Sequence, residues 1–127
     1  MNIFYSPFDR AFTVGNQLLN NPKQKKVGLL IIVSINTGLR ISDILGLKWK
    51  DVQNDFIRLW EKKTGKFREI RINDNIKNAI KIIDGKNNRE DFIFTSQKRT
   101  VFSRQHINRL LKQVFAQEAR KHNISSH

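Results

Sequence analysis

The chain has 127 residues, with 24 lysines and arginines against 11 aspartates and glutamates, a formal charge of +13 and a pI near 10.5. That length suits one domain with a modest core, and the cationic excess points to a polyanionic partner. The absence of cysteine excludes disulfides, thiolate-held zinc and a thiol nucleophile, while the longest apolar stretch, Val27 to Ile35, is broken by Gly28 and Ser34 and is far too short to span a bilayer. Met1 opens no secretory signal, and neither a basic amphipathic helix nor a lipidation motif argues for a membrane surface. Nucleic acid in a reducing cytoplasm is therefore the expected partner and setting. His106, His122 and His127 show no HExxH-like spacing, so no metal site and no metal cofactor are expected.

The first predicted helix opens at Ser6-Pro7-Phe8-Asp9, with Ser6 as cap, Pro7 at the first helical position and Asp9 near the positive end of the dipole. Phe8, Ala11, Phe12, Gly15, Leu18 and Leu19 make its apolar stripe. Asn21-Pro22 repeats the start signal and Gly38 offers a left-handed stop after Thr37, which predicts a buried helix between them. The β-branched Ile31, Ile32 and Val33 argue weakly for a strand, but helix punctuation at both ends outweighs them. A short helix is predicted from Ile41 to Leu47.

The pattern then becomes β-prone. Phe56 to Glu61 and Phe67 to Ile72 read as two strands of a hairpin, and the connecting Lys62-Lys63-Thr64-Gly65-Lys66 holds the glycine such a turn commonly needs. Asn73 caps a helix carrying Ile76, Ala79, Ile80 and Ile83, ended by Asp84-Gly85. Phe92-Ile93-Phe94 is a candidate third strand. Ser103 caps a long helix in which Ile107, Leu110, Leu111, Val114 and Phe115 keep the i, i+3, i+4, i+7, i+8 spacing. The expected class is α+β, mainly α-helical, with helices packed around a small antiparallel β-hairpin or three-stranded sheet.

Within the segment TGLRISDILGLKWKD, residues 37 to 51, Gly38 lets the chain turn sharply and Arg40 projects a planar guanidinium, the kind of rigid fork a phosphate needs. Asp43, three residues on, is placed to orient Arg40 or to complement the helix dipole. All fifteen residues resemble the first arginine box of the tyrosine recombinase and phage integrase family. Glu61 to Arg68 resembles the same family's β-hairpin segment, whose lysine enters the active site, and Ile124-Ser125-Ser126-His127 resembles the approach to its histidine and second-arginine box.

That resemblance implies the fold of the integrase catalytic domain, with residues 1–127 forming part of it. The family's N-terminal DNA-binding domain and C-terminal catalytic segment are expected to be absent. It implies Arg40, Lys63 and His127 as catalytic residues, with Lys62 and Lys66 competing for the lysine role. Double-stranded DNA is the implied partner, contacted by Lys62, Lys66, Arg68, Lys98, Arg99 and Arg104, with Arg109 and Lys112 on the polar side of the last helix. No cofactor is implied, because a phosphotyrosine link conserves the phosphodiester. A second arginine, a later histidine or tryptophan and a tyrosine nucleophile belong beyond His127. Tyr5 stands on the wrong side of Arg40 and reads as packing. The 127 residues alone are expected to be inactive and monomeric, whereas the parent enzyme is expected to act as a DNA-bound tetramer. The competing readings are a non-catalytic basic DNA-binding module, a decayed recombinase, and an interaction domain whose charge serves solubility.

Overall fold

The computed structural model describes residues 7–83, 88–96, 98 and 100–125. In chain order it comprises α1 (Pro7–Leu19), α2 (Lys25–Thr37), α3 (Ile41–Leu45), a 3₁₀ turn (Trp49–Val52), β1 (Phe56–Trp60), β2 (Phe67–Arg71), α4 (Asp74–Ile83) and α5 (Arg104–Ser125). This is the expected α+β arrangement, mainly helical around a small antiparallel sheet. No helix among the described residues is long and apolar enough to cross a membrane.

The central element is α2. Val27 through Val33 are buried without a break, which puts apolar side chains on every face of the helix rather than on one stripe. α1 and α4 cover it. Contact with α1 is close: a Cβ at Gly28 would stand 2.7 Å from the Gly15 carbonyl oxygen and 2.7 Å from the Leu19 nitrogen, so only glycine permits this approach. The α1 stripe is buried at Ala11, Leu18 and Leu19, joined by Val14. Phe8 departs from expectation, being 43% exposed and stacked on Phe12. The Ser6 cap lies outside the described residues.

Local chemistry explains most boundaries. Asn73 caps α4 by accepting from the Ile76 amide at 3.0 Å, and Ser103 caps α5 by accepting from the His106 amide at 3.1 Å. α2 starts later than the Asn21-Pro22 signal predicts. Asn21 instead closes a turn, its side-chain oxygen accepting from the Lys23 amide and its carbonyl from the Gln24 amide. α3 stops at Leu45 rather than Leu47, because Leu47 turns its carbonyl to the Ile93 amide at 3.1 Å.

β1 and β2 pair antiparallel, with Ile57 opposite Ile70 and Trp60 opposite Phe67. Ile57 and Leu59 face the core. The expected third strand at Phe92-Ile93-Phe94 does not form. The described sheet has two strands, and Phe92 makes an isolated bridge with Lys48. Consecutive Ile93 and Phe94 are both buried, which a half-buried strand with its two-residue alternation would not allow. α5 buries Ile107 fully, while Leu110, Leu111, Val114 and Phe115 pack at the edge of the core.

Candidate functional site

The arginine turn is rigid for reasons visible in its backbone. α2 ends where Gly38 takes φ +70° and donates to the Ser34 carbonyl at 2.9 Å. Thr37 locks the same corner, its hydroxyl donating to the Val33 carbonyl at 2.7 Å and accepting from the Leu39 amide at 3.1 Å. Leu39 and Ile44 are buried on either side of Arg40 and anchor the turn in the core. Arg40 itself is exposed, with an extended backbone before α3, and its carbonyl accepts from the amides of Asp43 and Ile44. Its guanidinium makes no hydrogen bond or ion pair among the described residues.

Asp43 is the buried charged residue of this region, 5% exposed. It pairs with the hairpin, not with Arg40: its Oδ1 accepts from the Lys62 amide at 3.0 Å. One hydrogen bond therefore ties the helix carrying the arginine turn to the loop carrying the lysines, nineteen residues away. A charge-assisted bond of this kind is among the stronger ones, and the carboxylate that accepts it is buried.

The hairpin turn is closed on itself. The Glu61 amide donates to the Lys66 carbonyl at 2.8 Å, and Gly65, at φ +69°, donates to the Glu61 carbonyl at 2.9 Å. The three lysines then differ in surroundings. The Lys62 side chain returns over Gly46, where an added Cβ would meet its Cε and Nζ at 3.7 Å. Lys63 and Lys66 are exposed at the tip, their ammonium groups without a partner among the described residues. Arg68 is engaged by Glu61 at 3.3 Å. Between α3 and the hairpin lies a cleft of about 310 Å³, with Asp43, Asp51, Arg58, Trp60 and Lys62 among its walls.

Of the remaining sequence candidates, Lys98 and Arg104 are exposed before and at the start of α5. Arg99 and His127 lie outside the described residues, as does Tyr5. Among the described residues no group of His, Asp and Glu gathers where it could hold a metal ion. Sequence reasoning missed the Asp43–Lys62 bond. Its signal, an aspartate in a short helix, is equally that of a dipole-complementing acid.

Three comparisons bear on this geometry. The family model described as "Phage integrase family" matches residues 13–127. Probable integrase/recombinase YoeC of Bacillus subtilis (strain 168) is 39% identical over 105 residues, covering 81% of this chain and 57% of that protein. Among solved structures, a lambda integrase dimer bound to a COC' core site superposes with a TM-score of 0.67 at 17% identity, covering 94% of this chain and 46% of the other. The Tn1549 transposon integrase in complex with circular intermediate DNA gives a TM-score of 0.58 at 22% identity, over 98% of this chain and 45% of the other. The structural likenesses establish a shared fold. The chain thus spans about half the length of the relatives it matches.

Proposed function

This chain belongs to the phage integrase family, and from that premise we propose that it forms part of the catalytic domain of a tyrosine-type site-specific DNA recombinase. The observation that carries the reading is the Asp43–Lys62 bond. It fixes the arginine turn against the lysine hairpin while leaving the cationic groups of Arg40 and Lys63 free to meet a phosphate. Cationic donors that are held before the substrate arrives need no reorganisation when charge develops on a pentacoordinate phosphorane.

In this mechanism a tyrosine supplied by the parent protein attacks a DNA phosphodiester. The new bond is a 3'-phosphotyrosyl ester, and the bond to the 5'-oxygen breaks. Arg40 holds the non-bridging oxygens. Lys63 gives its proton to the departing 5'-oxygen, so the strand leaves as a hydroxyl. His127 donates a hydrogen bond to the phosphate or assists proton transfer. Lys62, folded back over Gly46, is the weaker candidate for the proton donor, and Lys66 remains the competitor of Lys63. Lys98, Arg99 and Arg104 contact phosphates that position the duplex. The 127 residues alone bind DNA without cutting it and are monomeric. The parent enzyme assembles as a tetramer on DNA.

The test is covalent-complex yield on a nicked suicide substrate, with the parent protein extended through its tyrosine. Arg40→Ala is expected to reduce the rate by about 10²–10³-fold, the range for removing one preorganised donor. Lys63→Ala should fall comparably and Lys62→Ala far less. Full yield in Arg40→Ala overturns the assignment. For the 127-residue chain, fluorescence anisotropy should detect duplex binding at low ionic strength that weakens steeply with salt. An absence of binding there would remove the DNA reading.

A further inference from the structure

A cleft of about 590 Å³ lies at the opposite end of α2 from the arginine turn and has a different composition. One wall is the turn before α2 and its first residues, with Lys23, Lys25 and Lys26. The other is formed by Thr95, Ser96, Lys98 and Phe102. Among the described residues four lysines line it and no acidic residue does. Lys23, Lys25 and Lys98 make no ion pair among the described residues. Like charges crowded along one cleft repel one another, and they are relieved by an anion seated among them.

The cleft is also held in shape. Lys26 spans it, donating to the Thr95 hydroxyl at 2.8 Å and approaching the Thr95 carbonyl at 3.3 Å, a link between residues sixty-nine positions apart. The far turn is closed by the Ser96 amide donating to the Thr100 carbonyl at 2.8 Å and the Phe102 amide donating to the Phe94 carbonyl at 3.0 Å. Burial, and secondarily the charge of Lys25, hold the Lys26 ammonium below its ordinary 10.5. A bound anion would reverse that direction. The hydroxyls of Thr95 and Ser96 can both donate to an oxyanion.

We propose that this cleft is a second anion site, separate from the arginine turn, that seats a backbone phosphate of duplex DNA between Lys25 and Lys98 and so fixes the duplex at a second point. The proposal rests on the DNA reading above. Two separated phosphate anchors constrain the duplex about more than one axis, which a single site cannot do. A reaction that needs one phosphorus atom in line with a nucleophile depends on such a constraint.

Lys26 is unsuitable as a test because it closes the cleft. Lys98, exposed, and Lys25, partly buried at the start of α2, are replaced together by alanine in the 127-residue chain, with Lys81→Ala, an exposed lysine of α4, as the charge control. Duplex affinity is measured by anisotropy as a function of salt. Loss of this one phosphate contact should lower the slope of log K against log[salt] by about 0.9, while Lys81→Ala leaves it unchanged. An equal effect of Lys81→Ala, or an unchanged slope in the double variant, overturns the proposal. The backbone amide shifts of Thr95 and Ser96 separate the two possible sources of phosphate. A short duplex should move both at micromolar concentration and inorganic phosphate only at far higher concentration. If inorganic phosphate saturates them where the duplex does, the cleft is a small-anion site and the duplex assignment falls. Failure here with Arg40-dependent cleavage intact removes the second anchor alone, whereas failure of the unaltered chain to bind duplex removes the DNA reading.

Discussion

Two clefts of this molecule use charge in opposite ways. In the cleft between α3 and the hairpin, a buried carboxylate is consumed by a backbone amide, and of the cations on its walls Arg58 is paired with Glu69 while Lys62 lies over Gly46. In the cleft between the start of α2 and Thr95, a cation does the internal holding, and further cations line the walls with no counter-charge among the described residues. The first arrangement positions a few groups accurately; the second makes a broad positive field. A single reactive phosphate needs the former, and anchoring the same duplex at a second phosphate is served by the latter.

The largest expected effect on stability breaks the first arrangement. Asp43→Ala leaves the Lys62 amide without its acceptor and should cost about 1–3 kcal/mol in urea unfolding, the usual cost of orphaning a buried polar group. Asp43→Asn keeps an acceptor oxygen and should cost less. Hydrogen exchange of the Lys62 amide should accelerate in the alanine variant ahead of global unfolding. Arg40→Ala and Lys63→Ala, both exposed, should lie within about 0.5 kcal/mol of the parent. A stable Asp43→Ala protein with a slow Lys62 amide would remove the distinction between the two clefts.

Gly38→Ala comes next. Nothing lies within 4 Å of where its Cβ would be, so the cost is that of the left-handed backbone alone, about 1 kcal/mol. The change acts on the corner that presents Arg40. It should therefore weaken duplex binding at the arginine turn while leaving the amide shifts of Thr95 and Ser96 as they are. A loss spread equally over both regions would mean that the two clefts are not independent.

These features differ in how far the sequence discloses them. Caps at Asn73 and Ser103, the hairpin turn around Gly65 and the apolar spacing of α4 and α5 are local chemistry, and each was legible. So was the arginine turn, whose Gly38 and Thr37 act within a few residues. The Asp43–Lys62 and Lys26–Thr95 links were not, because they join residues nineteen and sixty-nine positions apart and no local pattern encodes the pairing. The missing third strand has the same origin: Phe92-Ile93-Phe94 has strand-like composition, but its backbone is used by Leu47 and Lys48. The start of α2 was misplaced because Asn21-Pro22 closes a turn as readily as it opens a helix. The site residues Arg99 and His127 fall outside the described residues, so their role rests on resemblance.

The smallest expected effect concerns pH. Lys26 has its proton affinity lowered in the folded chain, by burial first and by Lys25 second, with Lys23 and Lys98 also lining the cleft. Below the folded value the ammonium is charged in both states, and the penalty of burying it is constant. Between that value and 10.5 the unfolded chain binds more protons than the folded one, so stability contributed by this group rises with pH across the window. Lys26→Met should abolish that rise, read as the difference in urea midpoint between parent and variant from pH 8 upward. Added duplex should flatten the parent's rise as well, since an anion in the cleft favours the charged lysine. A parent curve with the same slope as Lys26→Met would show that the ammonium spanning the cleft is hydrated as freely as the lysines on its walls. The second cleft would then be a loose charged surface, and the comparison with the fixed Asp43–Lys62 junction would sharpen.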